Sequence, residues 1–155
     1  MIKINIASVG TLKENYWITA IKEYEKRLSA FCDFNIIEVK EGMVVKNQSD
    51  IDIVKMQEAK LLEKYKKGYC IALEIGGKQY SSVEFAHNLK NLSNITSEIT
   101  FFIGGSNGLD KKLSDSCDEK ISFGKMTYPH QLMRIILTEQ IYRAFMINNN
   151  RSYHK

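Results

Sequence analysis

At 155 residues, with 44% hydrophobic and 26% charged side chains, the chain is sized and composed as one folded domain spanning 1–155. A net charge of +4 admits a phosphate-rich partner without requiring one. No apolar run approaches the ~20 residues of a membrane span, and Cys32, Cys70 and Cys117 offer neither a disulfide frame nor a zinc spacing. Membrane-embedded and disulfide-stapled classes are set aside, and a cytoplasmic protein is expected.

The opening "MIKINIASVG" alternates Ile2, Ile4 and Ile6 with polar residues, as a strand does, and lacks the pattern of a signal peptide. "TLKE", Thr11 to Glu14, has the form of a capping box. Tyr16, Trp17, Ala20, Ile21, Tyr24 and Leu28 then recur at helical spacing. "FNIIEV" (34–39) predicts a second strand, and 40–50 a mobile loop. Ser49 to Lys67 predicts a helix with Ile51, Val54, Leu61, Leu62 and Tyr65 on its apolar side.

"YCIALEI" (69–75) is apolar enough for a strand buried on both faces, with "GGKQ" expected to turn the chain after it. Ser81 to Glu84 forms another capping box, opening a helix that carries Phe85, Leu89 and Leu92. "ITFFI" (99–103) is a central strand ended by "GGSNG", and a short helix around Leu109 to Leu113 leads to the strand "KISF" (120–123). The last helix runs from about Pro129 to Ile147. This alternation predicts an α/β fold, a parallel-rich sheet layered with helices.

Ligands of such sheets gather beyond the carboxyl ends of the strands. "LEIGGK", "IGGSNG" and "FGKMTYPH" occupy three of those ends. One glycine after a strand usually makes a turn, but three such loops at one sheet edge suggest a site walled by backbone. Neither GxGxxG nor a P-loop is present, so a nucleotide-like ligand would be held in another geometry.

In the final helix Leu132, Met133, Ile135, Ile136, Leu137, Ile141, Tyr142, Ala144, Phe145 and Met146 leave narrow polar stripes. An all-round apolar helix is buried in a core or an interface, and the size of the chain favours a subunit interface. Glu139 and Arg143 stand at i and i+4, either as a structural ion pair or as part of a shared site. His87, His130 and His154 have no metal spacing, and no metal is expected. His87 suits an exposed helix face. His130 falls in the first helical turn, where the positive helix end resists protonation. The final "NNNRSYHK" gathers Arg151, Tyr153, His154 and Lys155, either as a solubilising tail or as part of a site.

"LEIGGK", "FFIGGSNGL", "FGKMTYPHQLMRIILTEQIYRAF", the terminal "YHK" and the start "INIASVGTLKENYW" together resemble the bacterial large-subunit ribosomal RNA pseudouridine N3-methyltransferases of the SPOUT superfamily. The resemblance covers the whole chain. It implies a C-terminal trefoil knot, although knots are nearly absent from proteins, and a homodimer through the final helix. It implies S-adenosylmethionine as methyl donor, bound by Leu73, Gly104, Phe123, Gly124, Lys125, Met126, Thr127 and Tyr128. The substrate side would comprise Glu139, Arg143, Tyr153, His154 and Lys155, and the target a pseudouridine of large-subunit rRNA in the assembled ribosome. Pro129 would pre-set the first helical φ after the last cofactor loop.

Such a transfer needs N3 of the base to lose its proton. A base, His154 or Glu139, or a cation stabilising the imide anion, Arg143 or Lys155, would serve. Two other classes compete. A non-catalytic RNA-binding module would tolerate bulky residues in the glycine loops, which are absent. A flavodoxin-like protein would carry a phosphate loop where "VGTLKEN" has one glycine.

Overall fold

The computed structural model describes residues 1–155 and contains one five-stranded sheet. In chain order the elements are β1 (Lys3–Val9), α1 (Asn15–Leu28), β2 (Asp33–Val39), α2 (Gln48–Glu63), β3 (Tyr69–Gln79), α3 (Ser82–Ser93), β4 (Glu98–Ile103), α4 (Lys111–Asp115), β5 (Glu119–Ser122) and α5 (His130–Asn148). The strands lie in the order β2-β1-β4-β3-β5, and every pairing is parallel. That is the arrangement expected when each strand is followed by a helix that crosses a sheet face.

The period of two along the strands builds two cores. Ile4, Ile6, Ile71, Ile99, Phe101 and Ile103 face one way, against Leu28 of α1, Phe85 and Leu89 of α3, and Leu137 and Ile141 of α5. Ala7, Val9, Cys70, Ala72 and Phe102 face the other way, against Leu62 of α2 and Leu109 and Leu113 around α4. Cys32 and Cys70 sit in these clusters as small hydrophobes; burial pushes the Cys32 thiol up to about 12. The near-continuous apolar run of β3 is therefore explained by burial on both faces.

Four expectations are corrected. Thr11 to Glu14 does not cap α1: Glu14 is the N-cap and makes no side-chain cap bond. The Leu12 N–H instead donates to Glu38 Oε2 at 2.8 Å, which draws 11–13 towards β2 and delays the helix to Asn15. "GGKQ" does not turn the chain but continues β3 to Gln79 through a break in register. Helix α2 ends at Glu63, where the Tyr65 and Lys66 N–H groups donate three residues back, to Leu62 O and Glu63 O, and Gly68 at φ +64° then turns the chain into β3. Pro129 is the N-cap, at ψ 133°, one place before the position expected for it, and His130 is the first helical residue. The Ser81 capping box forms as read, with the Glu84 N–H donating to Ser81 Oγ at 3.1 Å and the Ser81 N–H to Glu84 Oε2 at 2.9 Å.

Residues 40–47 have no regular structure, yet four of their amides are held by α2, that of Asn47 by Asp50 Oδ2 at 3.4 Å. Gly42 donates to Glu58, Met43 to Gln57 and Lys46 to Asp50.

Candidate active site

The carboxyl ends of β3, β4 and β5 surround an open cleft of about 850 Å³. The β3 wall is made by a bulge. Leu73 and Lys78 both pair with Ile121 of β5, so 74–77 leave the ladder and Glu74, Ile75 and Gly76 stand at the cleft mouth. Gly77 lets the strand return, since a Cβ there would lie 2.7 Å from the Ile121 carbonyl carbon. The β4 wall is the 104–109 loop. A Cβ on Gly104 would lie 2.4 Å from the Gly108 carbonyl carbon, so the loop's own closure requires glycine at that position. Gly76, Gly108 and Gly124 also line the cleft, and a Cβ on any of them would meet no atom within 4 Å. They form a backbone-walled cradle with room for a ligand.

Of the eight residues expected to contact a cofactor, Leu73, Gly104, Phe123, Gly124, Met126, Thr127 and Tyr128 all line this cleft. Lys125 belongs to the same loop but not to the lining. Glu74 was missed. It is the one carboxylate on the wall, it has no hydrogen-bond or ion-pair partner, and the bulge turns it towards the cleft. Its signal is the acidic residue that "LEIGGK" places between a buried strand and a glycine pair.

His130 and Met133, in the first turn of α5, complete the cleft. The His130 pKa lies below its ordinary value, chiefly because the ring is buried; Glu41 opposes this shift and Arg134 adds to it. Burial thus lowers it in the direction expected from the helix end. Its Nε2 has no partner.

Arg134 was also missed. Its side chain is fully buried, Nη1 pairs with Glu38 at 2.7 Å, and Nη2 donates to Gly10 O at 3.1 Å and to Val9 O at 3.4 Å. The start of α5 is thereby fastened to the ends of β1 and β2. The chain must cross the ends of β3 and β4 to reach them from β5, and the 123–129 loop makes that crossing as the third wall of the cleft.

The residues expected on the substrate side form a separate cluster further along α5. Glu139 Oε1 accepts from Arg143 Nε at 3.0 Å, Arg143 Nη2 at 2.6 Å and the Tyr153 hydroxyl at 3.1 Å, and its Oε2 accepts from Gln140 at 3.0 Å. Arg143 Nη1 lies 3.1 Å from His154 Nδ1, and the guanidinium sits 4.9 Å over the Tyr153 ring. Tyr153 meets Tyr142 edge-on at 4.9 Å, and Arg27 of α1 covers Tyr24 and Tyr142. Burial, then hydrogen bonds with Tyr24 and Glu139, push the Tyr153 phenol far above its ordinary range, so it serves as a donor. The hydrogen bond to Glu139 raises the Arg143 pKa further. The tail is thus folded back onto α5, with Lys155 exposed beyond it. At 1.5 Å per residue, Met133 of the cleft and Arg143 of the cluster stand roughly 15 Å apart along one helix. No group of three or more His, Cys, Asp or Glu is arranged to hold a metal.

Comparison with known proteins places these features in a family. The family model described as "Predicted SPOUT methyltransferase" matches residues 2–154. "Ribosomal RNA large subunit methyltransferase H" of Latilactobacillus sakei is 47% identical, that of Ligilactobacillus salivarius 50% and that of Finegoldia magna 50%. Each alignment covers 98% of this chain and 99% of the relative.

Proposed function

The chain belongs to the SPOUT methyltransferase family, and on that footing we propose that it methylates N3 of a pseudouridine in large-subunit ribosomal RNA, within the assembled ribosome. The observation that carries this reading is the glycine-walled cleft built by the three strand-end loops. Apolar Leu73, Ile103 and Phe123 with adjoining peptide groups suit a purine nucleoside, and the unpaired Glu74 suits a ligand that carries positive charge. S-adenosylmethionine meets both descriptions and, when bound, supplies a methyl group on a cationic sulfur. Leu73, Gly104 and the 123–128 loop would hold it.

The reading includes a homodimer. Leu132, Ile135 and Ile136 of α5 are only half-buried and belong to neither core, which leaves an apolar strip for a second copy. The cleft and the Glu139–Arg143–Tyr153–His154 cluster are separated along one helix, so in this reading a partner's cluster closes the cleft. The crossing of the 123–129 loop over the strand ends agrees with a trefoil knot, and a ribosomal target with a cytoplasmic site of action.

The test is direct. Titration calorimetry should detect S-adenosylmethionine binding by the purified protein. Ribosomes from cells lacking it should accept one labelled methyl group per large subunit. Binding without transfer to ribosomes or to free large subunits would reject the substrate, and no binding would reject the cofactor.

A further inference from the structure

We propose that the tail cluster acts on the nucleobase as a hydrogen-bond donor, through the Nε2–H of a neutral His154, and does not abstract the N3 proton. This rests on the substrate and the dimer proposed above and assigns the tail its part in the reaction.

The assignment follows from donor and acceptor counting. A guanidinium carries only N–H donors. The His154 Nδ1 that faces Arg143 Nη1 at 3.1 Å must therefore present its lone pair. A neutral imidazole accepting at Nδ1 carries its proton on Nε2. Glu139 is occupied as well: three donors converge on its Oε1 and one reaches its Oε2. The Tyr153 hydroxyl points at Glu139. Every acceptor of the cluster is satisfied from within it. What remains facing outward is an N–H and the charge of Arg143.

Such a group suits an imide. N3 lies between two carbonyls, and loss of its proton moves negative charge onto their oxygens, where a positioned donor stabilises it. In the transfer the N3–H bond breaks and its proton passes to solvent water. The N3 electron pair forms the N–CH3 bond, and the S–CH3 bond breaks with its electrons kept by sulfur, giving a neutral thioether. His154 touches the base; Glu139 and Arg143 are positioning residues that fix its tautomer.

Two measurements test this. Nitrogen-15 NMR of the full-length protein near neutral pH should show His154 as the Nε2–H tautomer, a state that Arg143→Met should release. In ribosome methylation, His154→Ala should lower kcat by about 100-fold, as for loss of one oxyanion donor. His154→Gln, whose amide can place an N–H near the Nε2 position but takes up no proton, should stay within about tenfold of the unmodified protein. Neither Arg143 nor His154 belongs to a core, so these variants should fold. An Nδ1–H tautomer, or a glutamine variant as slow as the alanine one beside an active unmodified protein, would overturn the proposal. An unmodified protein that binds S-adenosylmethionine and leaves ribosomes unmethylated would overturn the function, and this role with it.

Discussion

Glu58 is a carboxylate inside the protein with no cation beside it. Its Oε2 accepts the Gly42 N–H at 3.0 Å, its Oε1 has no partner, and burial raises its pKa. A raised carboxyl pKa means the folded protein binds the extra proton, so stability falls as pH rises from the ordinary value through the raised one. Glu58→Gln should therefore raise Tm at neutral pH, and the gain should vanish below about pH 4. Thermal melts across pH would check it; a gain independent of pH would point to packing instead. His130 works in the opposite sense, because its lowered pKa makes stability fall as pH drops below about 6.5. Glu74 bears on the ligand. Glu74→Gln should weaken S-adenosylmethionine roughly tenfold and the uncharged-sulfur product less, a difference calorimetry can read. Neither Glu58 nor Arg134 was legible beforehand. Each is a charged residue on a helix, the usual mark of a solvated face, and Arg134 finds its partners 96 and 124 residues earlier in the chain.

Elements were legible where a local pattern alone determined them. Alternation in β1, the apolar run of β4 and the Ser81 box were sufficient, since hydrogen bonding within a few residues decides a cap. Gly76 and Gly77 misled because a glycine pair is also how a strand bulges past its neighbour, and only the position of β5 distinguishes the two. The Thr11 box yielded to Glu38, a partner 26 residues from Leu12. Glu38 matters to α5 as well, because its carboxylate is the counter-charge of the buried Arg134 guanidinium. Glu38→Ala should destabilise the fold by about 3 kcal/mol, since the arginine would keep only backbone acceptors. Urea unfolding would measure this, and a loss below about 1 kcal/mol would mean that water replaces the carboxylate.

At the scale of the molecule, the three glycine loops and the final helix were legible as a ligand edge and a buried surface, but their separation was not. Strand order β2-β1-β4-β3-β5 depends on packing between distant segments, and the resemblance to a family, more than periodicity, led to the methyltransferase reading. The structure also divides the residues of α5. Phe145 packs on the core and stacks on Phe31 at 5.7 Å, whereas Ile136 belongs to the free strip. If the proposed dimer forms through this strip, Ile136→Asp should leave the monomer folded and shift sedimentation from dimer to monomer, because a buried carboxylate there costs several kcal/mol. An unchanged dimer would move the interface elsewhere.

The most direct test of the central claim is mass spectrometry of large-subunit rRNA from cells lacking the protein and from the same cells with it restored. One methylated pseudouridine should be absent from the first and present in the second, with the methyl group on N3. Restoration by the Glu74→Gln or His154→Ala protein should be slower than by the unmodified one. An identical set of methylated nucleosides with and without the protein would contradict the account.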